Sequence, residues 1–237
     1  MLAGTSGYSY KEWLGHFYPE KLPAAEMLRY YASRLPTVEI NNTFYRMPAE
    51  ALLQRWAGEV PDSFAFTLKA PRRITHMRQL KEAGPYAADF TRRAEVLGDK
   101  LGVLLFQLPP YLKKDLSRLG DLLAALPPGR RAALEFRHDS WQDEEVYETL
   151  RRHSAALCIA ETDEGETPLV CTTSFTYLRL RRTHYDEAEL RGWIERLAAR
   201  KLERAYVYFK HEDEGFAARF AEQFTKLWSA EQGEATP

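Results

Sequence analysis

The sequence predicts an α/β fold, a TIM-like (β/α)8 barrel forming a single domain over residues 1–237. Three observations predict it. Short apolar and β-branched runs alternate with helical patterns about eight times, which implies parallel strands joined by helical crossovers. About eight such units in 237 residues suit a closed barrel. No G-x-G-x-x-G turn follows a strand, which weakens the dinucleotide-binding version of the competing open, doubly wound sheet.

The elements follow in order. LAGTS (2–6) is a short first strand, and AAEMLRYYASRL (24–35) has apolar residues at helical spacing. TVEINNTFY (37–45) is β-rich; PAEALLQRWAGEV (48–60) begins with a proline suited to a first helical turn. SFAFTLKAP (63–71) alternates as a strand does, and YAADFTRRAEVLGDK (86–100) is helical. LGVLLFQLPP (101–110) is an apolar strand stopped by two prolines, and LKKDLSRLGDLLAAL (112–126) is an amphipathic helix. ALEFRHDSW (133–141) reads as a strand reaching a polar end, with His138 and Asp139 beginning the loop and Ser140 or Asp143 placed to cap the next helix. That helix, DEEVYETLRRH (143–153), has an acidic start and a basic end that suit its dipole. AALCIAE (155–161), FTYLRLRR (175–182) and RAYVYFKHE (204–212) are strands; DEAELRGWIERLAAR (186–200) and GFAARFAEQFTKLW (215–228) are helices. Long loops after the first and third strands, 7–23 and 71–85, exceed ordinary connections and are candidates for function.

Side chains alternate faces along a strand, so each strand has an inward and an outward set. The inward set is assigned as Glu39 and Asn41, Lys69, Gln107, Glu135 and Arg137, Glu161, Arg179 and Arg181, and Lys210. Seven strands thus end in polar inward residues at the C-terminal mouth, where barrels of this kind carry their active sites. A buried charge costs several kcal/mol unless it is paired, so this convergence argues for a ligand-binding mouth over a purely structural network. Lys69, Arg137, Arg179, Arg181 and Lys210 outnumber Glu39, Glu135 and Glu161 by two, which favours a phosphate or carboxylate ligand. Glu39 and Glu135 are candidate general bases, and His76 and His138 candidate acid–base groups close to strand ends. Arg72, just beyond the third strand, and Tyr45, beyond the second, complete the binding set, and Trp141 would wall the pocket. The aromatics of GYSYKEWLGHFYP (7–19) read first as a packed cap and second as a stacking surface.

Other classes are constrained. Lys and Arg total 33 against 34 Asp and Glu, a formal charge of −1, so extended nucleic-acid binding is not favoured, although a local basic groove would suffice. The opening MLAGTSGYSY lacks a basic segment followed by an apolar run, and no stretch approaches the roughly 18 apolar residues of a membrane helix. A cytoplasmic protein without membrane partners is the expectation. Cys158 and Cys171 have no metal-type spacing and read as free thiols. No cofactor motif is present. A divalent metal held by Glu39, Glu135, Glu161, Asp163 or Glu212 with His76, His138 or His211 is an open alternative, without an H-x-H, H-E-x-x-H or D-x-D pattern at a strand end.

The blocks GTSGYSYKEWLGHFYP, YYASRLPTVEINNTFYRMP, FAFTLKAPRRITH, LGVLLFQLPP, LEFRHDSW, YLRLR and YVYFKHEDEGFAARFA resemble, in this order, those of the YecE-like domain-of-unknown-function family, family number 72. The resemblance runs from about residue 4 to 228. It implies a TIM-barrel-like fold and a site location, but no settled reaction. It implies motif positions at Glu39, Asn41, Thr43, Tyr45, Lys69, His76, Gln107, Glu135, Arg137, Trp141 and Arg179. The chain departs from the family pattern at Lys210-His211, where many members have Asn-Asn, and at Arg181-Arg182, where many have His-Gly.

The functional expectation is an enzyme, a hydrolase or isomerase, acting on a phosphorylated or otherwise anionic small molecule at the barrel mouth. The alternatives are a metal-dependent phosphodiester hydrolase and a non-catalytic anion-sensing module.

Overall fold

A computed structural model describes residues 1–210 and 214–231. Eight parallel strands form the barrel: β1 (Leu2–Ser6), β2 (Thr37–Ile40), β3 (Ala65–Lys69), β4 (Leu101–Gln107), β5 (Ala132–Glu135), β6 (Ala156–Thr162), β8 (Phe175–Leu180) and β9 (Arg204–Phe209). The intervening β7 (Gly165–Glu166) only folds back antiparallel on the end of β6. The sheet order is β5-β4-β3-β2-β1-β9-β8-β6-β7, and pairing of β5 with β6 closes it. The closing seam is short, with Ala133 opposite Ala156 and Leu134 opposite Leu157.

Helices α1 (Met27–Ala32), α3 (Glu50–Glu59), α4 (Gly84–Ala94), α5 (Leu116–Ala124), α6 (Glu144–Arg152), α7 (Glu187–Ala198) and α8 (Phe216–Glu231) surround the strands; α2 (Asn42–Tyr45) is a single turn. Their starts are written in the sequence. Asp115 accepts from the Arg118 amide, Asp143 from the Glu145 amide, and Asp186 and Glu189 form a reciprocal capping box, so amides left unpaired at the first turn are satisfied. Of the two residues expected to cap α6, Asp143 does so; the Ser140 hydroxyl instead accepts from the Lys114 amide.

Two expected strands are shorter than their composition suggests. The β-rich run 37–45 leaves the sheet after Ile40, because the Thr43 hydroxyl bonds the backbone carbonyl of Lys69 at 2.6 Å and ties the next residues into α2. The strand expected through Arg137 ends at Glu135, and within the expected loop Asp139–Trp141 forms a 3₁₀ turn. In both, tertiary hydrogen bonding overrides β propensity.

Two separate cores hold the molecule together. One lies between strands and helices; the other fills the barrel, with Ala65, Val103, Leu105, Phe175, Tyr177, Tyr206 and Tyr208 buried within it. Gly4 is required where it stands, since a Cβ there would lie 2.0 Å from the Thr37 carbonyl oxygen. The aromatic segment after β1 is a packed cap. Trp13 is fully buried with Tyr10, Phe17 and Tyr18 rings 4.9–5.9 Å away. Trp13→Ala is expected to cost about 3–5 kcal/mol in urea denaturation, the usual effect of emptying a buried indole site; a loss below about 1 kcal/mol would show that the cap is not part of the cooperative core. Among the described residues, no helix is long and apolar enough to cross a membrane.

Candidate active site at the barrel mouth

The site is built from strand ends. Alternation sends Ser6, Glu39, Lys69, Gln107, Glu135 and Arg179 inward from β1, β2, β3, β4, β5 and β8, and all six are buried. Arg179 stands at the centre. Its Nη1 donates to Glu135 Oε2 at 2.6 Å, and its Nη2 to Glu39 Oε1 at 2.8 Å and Ser6 Oγ at 3.2 Å. Glu39 Oε1 also accepts from Ser6 Oγ and, at 3.2 Å, from Asn41 Nδ2, while Oε2 takes the Tyr177 hydroxyl at 2.6 Å. Gln107 links the third strand to the fifth: its Oε1 accepts from Lys69 Nζ and its Nε2 donates to Glu135 Oε2, both at 2.8 Å. Nearer solvent, Arg137 Nε bonds Glu135 Oε1 at 3.0 Å, and Arg181 Nη2 lies 3.6 Å from the same oxygen.

Beneath this layer the barrel is sealed. The Tyr208 hydroxyl lies 2.7 Å from both Thr37 Oγ1 and Thr67 Oγ1, and the Tyr177 and Tyr208 rings are 5.2 Å apart.

The electrostatics follow from burial set against pairing. Burial alone would raise the Glu135 pKa, but Arg179, Arg137 and Arg181 together hold it well below the usual carboxylate range. Glu39 likewise would rise on burial and is instead lowered by Arg179 and by hydrogen bonds from Ser6 and Tyr177. Lys69 moves the other way: burial, then the neighbouring Arg179 charge, bring its pKa down to about 8. The Lys69 ammonium faces the Phe44 ring at 4.3 Å, and the His76 ring meets the same Phe44 edge-on at 4.9 Å. His76 lies on a π-helical turn, Arg73–Met77, directly after β3, with Nδ1 2.9 Å from Thr75 Oγ1. Burial, then Lys69 and Arg137, lower its pKa.

A cleft of about 450 Å³ opens beside this layer, between the ends of β5 and β6. Arg137, His138, Trp141 and Arg181 are among its walls. Trp141 is fixed by its indole N–H on the Leu112 carbonyl at 2.7 Å and stacks on Phe136 at 4.6 Å. His138 Nδ1 accepts from the Ser140 amide at 3.1 Å, which fixes the ring's orientation.

The structure thus gathers Glu39, Asn41, Lys69, Gln107, Glu135, Arg137, Arg179 and Arg181, with His76 and His138 at the rim. Four expected members do not join them. Glu161 points to the outer face of β6, where its Oε2 accepts from the Tyr185 hydroxyl at 2.7 Å and Trp193 Nε1 at 3.1 Å; the strand's inward residues are Ala156 and Cys158. The face assignment for β6 was therefore off by one residue, because an unbroken apolar run carries no alternation. Tyr45 is 72% exposed, and it lines with exposed Arg72 a different cleft, on the flank formed by α2, the π-helical turn and α4. Lys210 is exposed on the rim, while His211 and Glu212 lie outside the described residues. Among the described residues, no three His, Cys, Asp or Glu side chains come together in a way that would hold a metal. Ser6 and Phe44 belong to the site and were not anticipated. Alternation along LAGTS would have pointed Ser6 inward, but nothing local marks Phe44.

A closed parallel barrel whose mouth holds an ionised Glu–Arg–Glu layer places the chain among TIM-like barrel proteins with a polar strand-end site. The family model described as "Protein of unknown function DUF72" matches residues 2–237, and the chain belongs to that family. It is 26% identical to the UPF0759 protein YunF of Bacillus subtilis (strain 168), over 95% of each sequence. The crystal structure of a DUF72 family protein from Thermotoga maritima MSB8 superposes with a TM-score of 0.84 at 31% identity, covering 96% of this chain and 98% of that one. A DUF72 family protein from Enterococcus faecalis V583 shares the fold at 21% identity, with a TM-score of 0.74 over 86% of this chain and 93% of that one.

Proposed function

We propose that the protein is an enzyme acting on a small anionic substrate, bearing a phosphate or carboxylate, at the barrel mouth. One observation carries this reading: Arg137, Arg179 and Arg181 all lean on the single carboxylate of Glu135. With Lys69, four cations face two carboxylates, so an excess of two positive charges stands at the mouth. Arg179 is spent on its two glutamates and acts as the keystone. Arg137 and Arg181 border the cleft and present their remaining donors for an anion.

The proton-transfer roles shift accordingly. Every carboxylate oxygen of Glu39 and Glu135 accepts from at least one donor, so neither suits the role of general base. Lys69 and His76 are the better acid–base groups, and His138 can serve from the opposite wall. The free Cys158 and Cys171 fit a reducing, cytoplasmic setting.

The test is binding of inorganic phosphate and pyrophosphate, followed by thermal shift and calorimetry. Arg137→Ala and Arg181→Ala are expected to weaken binding by about ten- to a hundred-fold each, with little change in the unliganded melting temperature. Equal affinity in wild type and both variants would overturn the assignment. A non-catalytic anion sensor would use the same contacts, and turnover of a bound ester or sugar phosphate separates it from an enzyme.

A further inference from the structure

We propose that Lys69 is a covalent nucleophile, forming a Schiff base with the carbonyl carbon of a ketone or aldehyde that carries a phosphate or carboxylate. This rests on the anion-binding reading above and narrows its substrate class. The placement of the amine supports it. Lys69 ends β3, inside the mouth, 9% exposed. Its hydrogen-bond acceptor is the neutral Gln107 amide, because both nearby carboxylates are taken by guanidiniums. Among the described residues, no carboxylate lies within ion-pairing distance of Lys69. Burial and, after it, the central Arg179 charge oppose protonation, and the Phe44 ring closes one side of the amine. A lysine serving only to hold an anion would gain from full protonation. Here burial, Arg179 and Arg137 oppose the ammonium, while the Phe44 ring face and the more distant Glu39 and Glu135 favour it. With no carboxylate paired to it, the amine can give up its proton, as a nucleophile requires.

The chemistry balances without a further reactant. The unprotonated Nζ attacks the carbonyl carbon, a C–N bond forms, and the carbonyl π pair moves to oxygen, which takes a proton. The resulting carbinolamine loses that oxygen as water and leaves a protonated imine. His76, against the same Phe44 ring as Lys69, is placed to deliver and recover the proton. The positive imine keeps Lys69's charge in a site whose two carboxylates already balance part of it. Arg137 and Arg181 would hold the substrate's anionic group.

The experiment is reductive trapping. Wild-type protein is incubated with dihydroxyacetone phosphate or with pyruvate plus sodium cyanoborohydride, then digested and mapped by mass spectrometry. The expected adduct, the mass of the ketone less one oxygen atom, sits on Lys69 with roughly ten-fold or greater preference over any exposed lysine. Preference for one probe reports whether the anchors suit phosphate or carboxylate. Trapping should quicken as pH rises toward the Lys69 value, about 8. Lys69→Met should lose this adduct, and Arg137→Ala should slow it. Adducts spread over exposed lysines with Lys69 unmodified, for both probes, would overturn the proposal. If Arg137→Ala and Arg181→Ala still abolished phosphate binding in that case, the anion-site reading would stand while the covalent step fell. If phosphate binding itself were absent, the site reading would fall as well.

Discussion

Arg179→Met is expected to be among the most destabilising single substitutions in this protein, costing about 3–5 kcal/mol, and to reverse the pH dependence of stability. In the wild type, Arg179 spans Glu39 and Glu135 at 2.8 and 2.6 Å, and all three side chains are buried. Methionine of similar length would leave two carboxylates desolvated in one layer. The sign of the pH effect follows from linkage. Both glutamates have folded-state values lowered from the ordinary 4.5, so their contribution is present above 4.5 and is lost as pH falls through the folded values. Without the guanidinium, burial is left to raise the Glu39 value, while Glu135 keeps Arg137 and Arg181 and rises less. The variant then binds protons on folding and becomes less stable as pH climbs from about 4.5. Urea midpoints between pH 4 and 8 should therefore diverge, with the deficit largest at the alkaline end. Parallel profiles for wild type and variant would show that Arg179 does not hold the two carboxylates ionised.

Glu135→Gln separates stability from binding. Three guanidiniums share this carboxylate, and Gln107 donates to it as well. Removing its charge keeps the shape but leaves Arg137, Arg179 and Arg181 facing one another with less compensation. A loss of about 2–4 kcal/mol is expected, together with a shallower acid limb, because the lowered pKa of Glu135 no longer contributes. Phosphate should bind roughly ten-fold more tightly, since one negative charge has left the mouth. The two effects have opposite signs, which a merely structural role for Glu135 would not give. Phosphate affinity that fell along with stability would contradict this picture.

Much of this architecture could be read from the chain. Alternation in SFAFTLKAP and FTYLRLRR placed Lys69, Arg179 and Arg181 inside, because polar and apolar residues there change with period two. Asp115, Asp143 and Asp186 announced helix starts through hydrogen bonds that are local in sequence. What escaped depends on contacts distant in sequence. The end of β2 is set by Thr43 reaching the Lys69 carbonyl, 26 residues away. Glu161 sits in a run with no usable alternation, so only its bonds to Tyr185 and Trp193 reveal its outward face. The inventory of charges was legible, but their partition was not. That Arg179 is consumed by two glutamates while Lys69 has only an amide emerges from three-dimensional pairing across β2, β3, β4, β5 and β8.

The tyrosine layer under the site has a kinetic consequence. With Tyr208 clamped between Thr37 and Thr67, and Tyr177 and Tyr206 fully buried beside it, the described residues fill the barrel behind the site. A ligand that enters from the mouth would then depart by the same doorway. On the proposed enzymatic reading, product and incoming substrate then compete for one passage, so accumulated product should raise the apparent KM without changing the limiting rate.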